Sequence, residues 1–321
     1  EKITKDINPT YGSIQKLHSR DSDLVTLCED KVLKILANKD AVFNADGNAN
    51  LTATNNVLGQ TVPFVGEYGI SRNPESFASE SYRAYFTDKV RGTVMRLSRD
   101  GLTPISDAGM TDWFRDNLKL SNKLVGSYDD RKREYNITVK DNNQTVTYRE
   151  DVRGWVSFKS FIPENGVSCA NQYYTFNEGV LWMHHDDTVD RNTFYGAFSP
   201  SSVNVVINDS PGSIKTFHTL SYEGSQSKID AVRSSAVSGL QPDKYDIWDV
   251  TSWNGTFNAS GIPNYTVSNS TQFDSDYYNI TSSSGWFVKN IETDKEVGAI
   301  NEFIEKEGKW FNYIRGKAWQ Q

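Results

Sequence analysis

Tyr82-Arg-Ala-Tyr-Phe86, Thr93-Val-Met-Arg-Leu97 and Leu102-Thr-Pro-Ile105 are three short apolar-rich runs, separated by Thr87-Asp-Lys-Val-Arg-Gly92 and Ser98-Arg-Asp-Gly101. Their punctuation decides the fold. Gly92 and Gly101 stand where a hairpin turn needs a positive φ, and the Asp100-Gly101 dipeptide is a strong short-range hairpin signal. The stretch therefore predicts an antiparallel meander of three strands.

The same grammar extends in both directions. Upstream, Leu24-Val-Thr-Leu-Cys28, Val32-Leu-Lys-Ile-Leu36 and Ala41-Val-Phe43 are short strand candidates divided by polar turns. Downstream come Lys123-Leu-Val-Gly-Ser-Tyr128, Glu134-Tyr-Asn-Ile-Thr-Val139, Thr145-Val-Thr-Tyr148 and Trp155-Val-Ser-Phe-Lys-Ser-Phe161. Gln172-Tyr-Tyr-Thr-Phe176 and Val180-Leu-Trp-Met-His184 follow. Next, Val203-Asn-Val-Val-Ile207 and Ile214-Lys-Thr-Phe-His-Thr-Leu220 flank a turn at Asn208–Gly212. Ser157-Phe-Lys-Ser-Phe161 and Ser213-Ile-Lys-Thr-Phe217 match well enough to suggest one structural unit used twice.

Meanders of three or four strands recurring at roughly 40–60 residues are the pattern of propeller blades, each of which buries its faces only by stacking on neighbours. The fold predicted is all-β, a propeller-like array of antiparallel meander blades, with a β-sandwich carrying long loops as the alternative. Residues 1–321 are read as one propeller-like domain. Helix is confined to one or two turns within Ser106–Leu118, with an Asp cap, and a short stretch in Val297–Gly308, where Ile300, Phe303 and Ile304 have helical spacing. Residues 254–284, rich in Asn, Ser and Thr, read as a polar insertion, a surface loop or extra hairpin. Strand grammar returns in Gly285–Ile291 and Lys309–Ile314.

Composition agrees with a β architecture. Aromatic residues make up 12% of the chain, with 8 Trp, 16 Tyr and 16 Phe, which excludes a disordered chain, a coiled coil and a helical bundle. Lys and Arg total 34 against 41 Asp and Glu, a net charge of −7, so a phosphate-neutralising nucleic-acid binder is a poor fit. No run of 18 apolar residues is present to span a bilayer as a helix. Cys28 and Cys169 are expected to be unpaired thiols. The chain opens on Glu1 with no apolar signal core, and is expected to be a piece of a longer polypeptide.

Chemical motifs are sparse. The one histidine cluster is His184-His185-Asp186-Asp187, but adjacent residues on a strand point to opposite faces, so one ion could take both imidazoles only across a bend. No nucleophile-elbow, zincin, Walker or dinucleotide-binding motif occurs. Asn44–Asn50 is oxygen-rich like a calcium loop, yet its Gly47 is misplaced for an EF-hand. Nine Asn-x-Ser/Thr sequons are what chance gives in so Asn- and Ser/Thr-rich a chain. Neither a catalytic residue, a metal site nor a cofactor is predicted. Interaction candidates are the large aromatics Trp113, Phe114, Trp248, Trp253, Trp310 and Phe311, suited to subunit contacts, to core packing or to stacking on sugar.

Three stretches carry a resemblance: Val65–Phe77 running into Tyr82–Ser98; Val125–Ile137 with Trp155–Gly166; and Asn208–Phe217 with Leu220–Ser225. Together they resemble large virion structural proteins of tailed bacteriophages, particularly marine, cyanophage-type viruses. The closing Glu302–Phe311 fits too. The resemblance implies a non-enzymatic tail, baseplate or neck component, assembled in the host cytoplasm into the virion. Its implied partners are other virion proteins and further copies of itself in a symmetric assembly, with neither membrane nor specific nucleic acid. The alternative is a carbohydrate-binding receptor-recognition module or glycoside hydrolase of a phage tail, with Trp248 and Trp253 beside a saccharide groove.

Overall fold

The computed structural model describes residues 4–20, 23–43, 49–186, 188–189, 192–223, 252–257, 263–266, 286, 288–300 and 303–316. They form an all-β fold of antiparallel sheets, none of them closed, an arrangement that fits a propeller-like array or a sandwich. The chain divides into two compact units, residues 1–188 with 194–197, and residues 189–193 with 198–321.

The first unit is a run of meanders. Strands β1 (Ile14–Arg20), β2 (Asp23–Cys28), β3 (Val32–Phe43) and β4 (Ala49–Pro63) form the first sheet in chain order. The second holds β5 (Ala78–Ser79), β6 (Ala84–Asp88), β7 (Thr93–Ser98) and β8 (Gly101–Pro104), the meander whose turns opened the sequence reading. Gly92 and Gly101 adopt φ of 69° and 103°, as those turns require. The third contains β9 (Leu124–Asp129), β10 (Glu134–Val139), β11 (Gln144–Arg149) and β12 (Gly154–Lys159). The fourth has only three strands, β13 (Asn165–Cys169), β14 (Gln172–Asn177) and β15 (Val180–Met183). A short pair, β16 (Thr193–Phe194) and β17 (Ala197–Phe198), follows.

Strand alternation gives the second sheet two apolar faces. Ala84, Phe86, Met95 and Leu97 share one face and pack with Val25, Leu27, Val32 and Ile70 beside the first sheet. Tyr85 and Val94 point the other way and join Leu124, Tyr128, Tyr135, Ile137 and Val146 of the third. Every residue of β6 is buried as a result. Helix α1 (Thr111–Leu118) drops Phe114 and Leu118, four residues apart on one face, into that second core. Met110, not an Asp, stands at its N-cap, because Asp107 is taken up in a preceding 3-10 turn.

The sheets touch at their first strands, and the approach is close enough to select small residues. A Cβ built on Gly126 of β9 would sit 1.9 Å from the Ser76 carbonyl oxygen. On Gly166 of β13 it would lie 2.8 Å from Cβ of Ser127. Polar groups caught in these seams are satisfied across them. Tyr135 Oη donates to the Ser76 carbonyl at 2.8 Å, Trp155 Nε1 to the Ile105 carbonyl at 2.9 Å, and Tyr85 Oη to Glu150 at 2.8 Å.

In the second unit, β18 (Thr219–Tyr222) is followed by the hairpin of β19 (Ser252–Phe257) and β20 (Pro263–Thr266). That hairpin begins just before the polar 254–284 stretch and runs into it; the remaining residues of the stretch are outside the described ones. Then come β21 (Val288–Glu292), β22 (Val297–Ile300), β23 (Ile304–Lys306), β24 (Lys309–Tyr313) and β25 (Arg315–Gly316). The helical stretch expected in Val297–Gly308 is instead β22 and a hairpin limb. Glu307 and Gly308 adopt φ of 55° and 77°, a two-residue turn of left-handed conformers that pairs Lys306 with Lys309. Ile300, Phe303 and Trp310 make this unit's small core.

Two strand expectations meet a different outcome. Val203–Ile207 and Ile214–Phe217 are not strands, and strand begins only at Thr219. Ser157–Phe161 and Ser213–Phe217 are thus not one unit used twice: the first runs along β12 and out of its end, while the second has no ladder partner among the described residues.

Replacing Gly126 by Ala forces a methyl onto a backbone oxygen that has no rotamer through which to retreat. We expect it to lower unfolding stability by about 3 kcal/mol. Gly154→Ala, whose Cβ would meet nothing nearer than 3.7 Å, is expected to be nearly neutral. Guanidinium chloride titrations of the two variants check this.

Candidate functional site

The chain's best acid–base candidate sits where β15 ends. His185 takes φ 62°, the bend that two adjacent histidines need to approach one another, and the two imidazole centroids come to 6.2 Å. Each ring is already engaged. His185 Nε2 lies 2.6 Å from Oδ2 of the buried Asp129 of β9, and the Arg131 guanidinium donates to the His185 carbonyl at 3.1 Å. His184 Nε2 is 2.7 Å from the Thr175 hydroxyl, itself 2.8 Å from the Tyr195 hydroxyl. The His184 ring is boxed by Phe161, Tyr173 and Phe194. Burial, reinforced by the neighbouring His185, holds the His184 pKa down to about 4.

These contacts form a polar seam between the third and fourth sheets. The Tyr173 and Ser127 hydroxyls, 2.7 Å apart, continue it between β14 and β9. Asn136 and Thr147 extend it inward through a 2.7 Å bond from the Thr147 hydroxyl. Burial drives the Tyr173 phenol well above its ordinary pKa, so it remains a neutral hydrogen-bonding group. Among the described residues, no three His, Cys, Asp or Glu side chains are placed to hold a metal ion. Asp186 binds the backbone and hydroxyl of Thr188 instead, and Asp187 lies outside the described residues, as does most of the Asn44–Asn50 loop.

The aromatic candidates are dispersed. Phe114 is fully buried, packed on Trp155 with centroids 4.4 Å apart. Trp113, half-buried, meets Phe114 and Phe158 edge-on at 4.9 and 5.4 Å. Trp310 is buried in the second unit, stacked on Tyr222, and Phe311 beside it is half-buried opposite Ser221 and Ile304. Trp253 lies on β19 opposite Tyr265, and Trp248 falls outside the described residues.

What the residues assemble into an open surface is the far face of the fourth sheet. Tyr173, Thr175 and His184 turn toward the third sheet. The pairings Val167–Tyr174–Met183 and Phe176–Leu181 put those side chains together on the opposite face. Val167, Phe176, Leu181 and Met183 are all exposed there. Sequence reasoning passed over this face because no single residue in it is unusual; the signal was the apolar alternation of β14 and β15 on both faces, which marks a strand meant to be covered twice.

Comparison with known proteins gives the setting. A family model described as "Crassvirus muzzle protein" matches residues 4–179, and one described as "Crassvirus muzzle protein C-terminal domain" matches residues 189–317. A "Muzzle protein" of Bacteroides phage crAss001 is 21% identical over 257 residues, 77% of this chain and 18% of that protein. The chain thus spans less than a fifth of that relative's length. Two solved structures are weakly similar. A virginiamycin B lyase from Staphylococcus aureus has TM-score 0.30 and 8% identity, over 56% of this chain and 57% of that one. A luciferin-regenerating enzyme has TM-score 0.25 and 10% identity, over 51% and 69%. Likeness at that level carries no argument about this chain.

The buried His184 has a measurable consequence. Its folded pKa is below its unfolded one, so between about pH 6.5 and 4 the unfolded chain binds the extra proton. The stabilisation is complete above pH 6.5 and is lost as pH falls toward 4, by up to about 3 kcal/mol. Denaturant titrations across that window are expected to show the slope, and His184→Gln to flatten it.

Proposed function

The chain belongs to the Crassvirus muzzle protein family, a family of phage virion components, and on that premise we propose that it is a rigid, non-enzymatic assembly module of the tail, baseplate or neck, one stretch of a longer virion protein. The kinship lies with crassviruses, a Bacteroides phage among them, where the sequence resemblance had pointed to marine, cyanophage-type viruses. The observation that carries the mechanical reading is the far face of the fourth sheet. Each of the preceding sheets takes part in a core with a neighbour, whereas this one leaves Val167, Phe176, Leu181 and Met183 in solvent. A contiguous apolar sheet face left open among the described residues fits an interaction surface for another protein.

Rigidity follows from the seams. Shifting one sheet against the next would break buried bonds such as Ser127–Tyr173 and Tyr135–Ser76 together, and each buried polar group left unpaired costs about 1–3 kcal/mol. The His–Asp and His–Thr pairs at the end of β15 serve the same purpose. The His185–Asp129 pair locks the fourth sheet to the third, and the His184–Thr175 pair ties the end of β15 to β14. Partners are other virion proteins and further copies of the chain.

A charge placed on the far face tests the reading. Phe176→Lys is expected to leave the far-ultraviolet circular dichroism unchanged, since the position is exposed. Its incorporation into phage particles, quantified by mass spectrometry of purified virions from a complemented deletion strain, is expected to fall by roughly 100-fold, because a desolvated unpaired charge costs several kcal/mol. Wild-type incorporation would refute the face as an assembly surface.

A further inference from the structure

Two features without partners stand in the same chain. The first is the outer edge of the fourth sheet. Its three predecessors each end in a fourth strand, and those outer strands finish on Pro63, Pro104 or Lys159, residues that discourage further pairing. The fourth sheet stops at its third strand. Among the described residues, strand β15, Val180-Leu-Trp-Met183, pairs only with β14, and it has no Pro, Lys or other charged residue of its own. Val180 and Leu181 are 53% and 54% exposed.

The second feature is the arm from Val203 to Phe217. It has the composition of a β-hairpin, with β-branched residues on both sides of Asn208–Gly212, but no ladder forms in it among the described residues. Ser213 N–H closes onto the Ser210 carbonyl, and Lys215 reaches Asn208 and the Ser210 carbonyl, so the turn is made while its limbs are left open. Val206 is 92% exposed, and Val203 and Val205 about as open at 70% and 68%. Val203-Asn-Val-Val-Ile207 carries no charge. A solvated, uncharged run of β-branched residues has the composition of a strand that lacks an edge to join.

Resting on the assembly reading above, we propose that the arm of one copy supplies the missing outer strand of the fourth sheet in a second copy, Val203–Ile207 adding antiparallel to Val180–Met183. The match is chemical and metric. Both segments are uncharged and apolar, and at about 3.4 Å per residue the donor spans the whole acceptor strand. Addition satisfies main-chain groups on both, and carries Val203, Val205 and Ile207 onto one face of the sheet. It also gives the fourth sheet the strand number of the other three. A second copy is the occupant that both features select, because one surface of the chain is the complement of another. Donor and acceptor are different sites, so a one-way contact is head-to-tail and builds a ring where its rotation closes, whereas reciprocal exchange between two copies builds a two-fold dimer.

Cysteine trapping reads the contact directly. In a Cys169→Ser background, with the buried Cys28 left in place, one batch of full-length chain carries Val205→Cys or Val206→Cys and another carries Leu181→Cys. Cross-strand Cβ atoms come within disulfide reach, and the two donor positions cover both faces of the added strand. Mild oxidation of the mixed batches is expected to give a donor–acceptor disulfide dimer as the main product, identified by its linked tryptic peptide. Absence of that species, or a chain bearing both cysteines that closes as a monomer, would overturn the exchange. Val206→Asp separates this idea from the assembly reading. Loss of particle incorporation by Val206→Asp supports the exchange. Wild-type incorporation by Val206→Asp alongside loss by Phe176→Lys ends the exchange and leaves the assembly reading intact; wild-type incorporation by both ends each of them.

Discussion

Tyr135 Oη against the Ser76 carbonyl, with Gly126 pressed beside it, is the contact on which the first unit turns. Two sheets can share a core only if their first strands nearly touch, and here the allowed separation is less than a methyl group. That closeness expels water, so every polar group in the seam must find a protein partner. The stacked rings of Tyr85, Tyr128 and Tyr135, with centroids 5.6 and 4.8 Å apart, fill the space behind it. Burial pushes all three phenols far above their usual pKa, so they stay neutral, and Tyr85 and Tyr135 donate hydrogen bonds without charge. The result is a pile of sheets in which mechanical stiffness and hydrogen-bond satisfaction are one requirement.

Much of this was legible in the residues, and the reason is local. Hairpin turns are written in nearest neighbours: Asp100-Gly101 and Gly92 fix the second sheet, and Glu134–Val139 was read with the bounds that β10 has. Strands that owe their place to a neighbour were harder. β13, Asn165-Gly-Val-Ser-Cys169, has little apolar character of its own and forms because Gly166 lets it lie against Ser127. β1 was missed for a similar reason, its Gln-Lys-Leu-His pattern being that of a half-exposed edge paired with β2. The spacing of Ile300, Phe303 and Ile304 suited a helix, until the left-handed pair Glu307–Gly308 folded the stretch into a hairpin.

The site candidates divide along the same line. An aromatic side chain is equally at home in a core and at an interface, and only burial tells them apart. Phe114 and Trp310 are core, whereas Trp113 is only partly buried against it. By sequence, His184 and His185 could serve one ion only across a bend, and a bend is present. The bend that removes this obstacle also delivers each ring to a different oxygen, Thr175 or Asp129, so proximity produced a clasp. The open apolar face had no motif to announce it, since exposure belongs to the fold and not to any residue type.

Leaving such a face and edge bare carries a risk that explains how they are used. An uncharged edge strand pairs with any extended chain it meets, and most sheets are guarded against this, as Pro104 and Lys159 guard two of these. An added strand of about four residues forms only a few main-chain bonds, each worth about 1 kcal/mol net, so one contact is weak when copies are dilute. In a ring of identical subunits already held near one another, the same contact becomes effectively intramolecular, and its strength multiplies around the ring. On the proposed exchange, weakness before assembly and firmness after it would come from one uncharged strand. A guarded edge would secure the first property at the expense of the second, which is the physical reason for β15 to remain open.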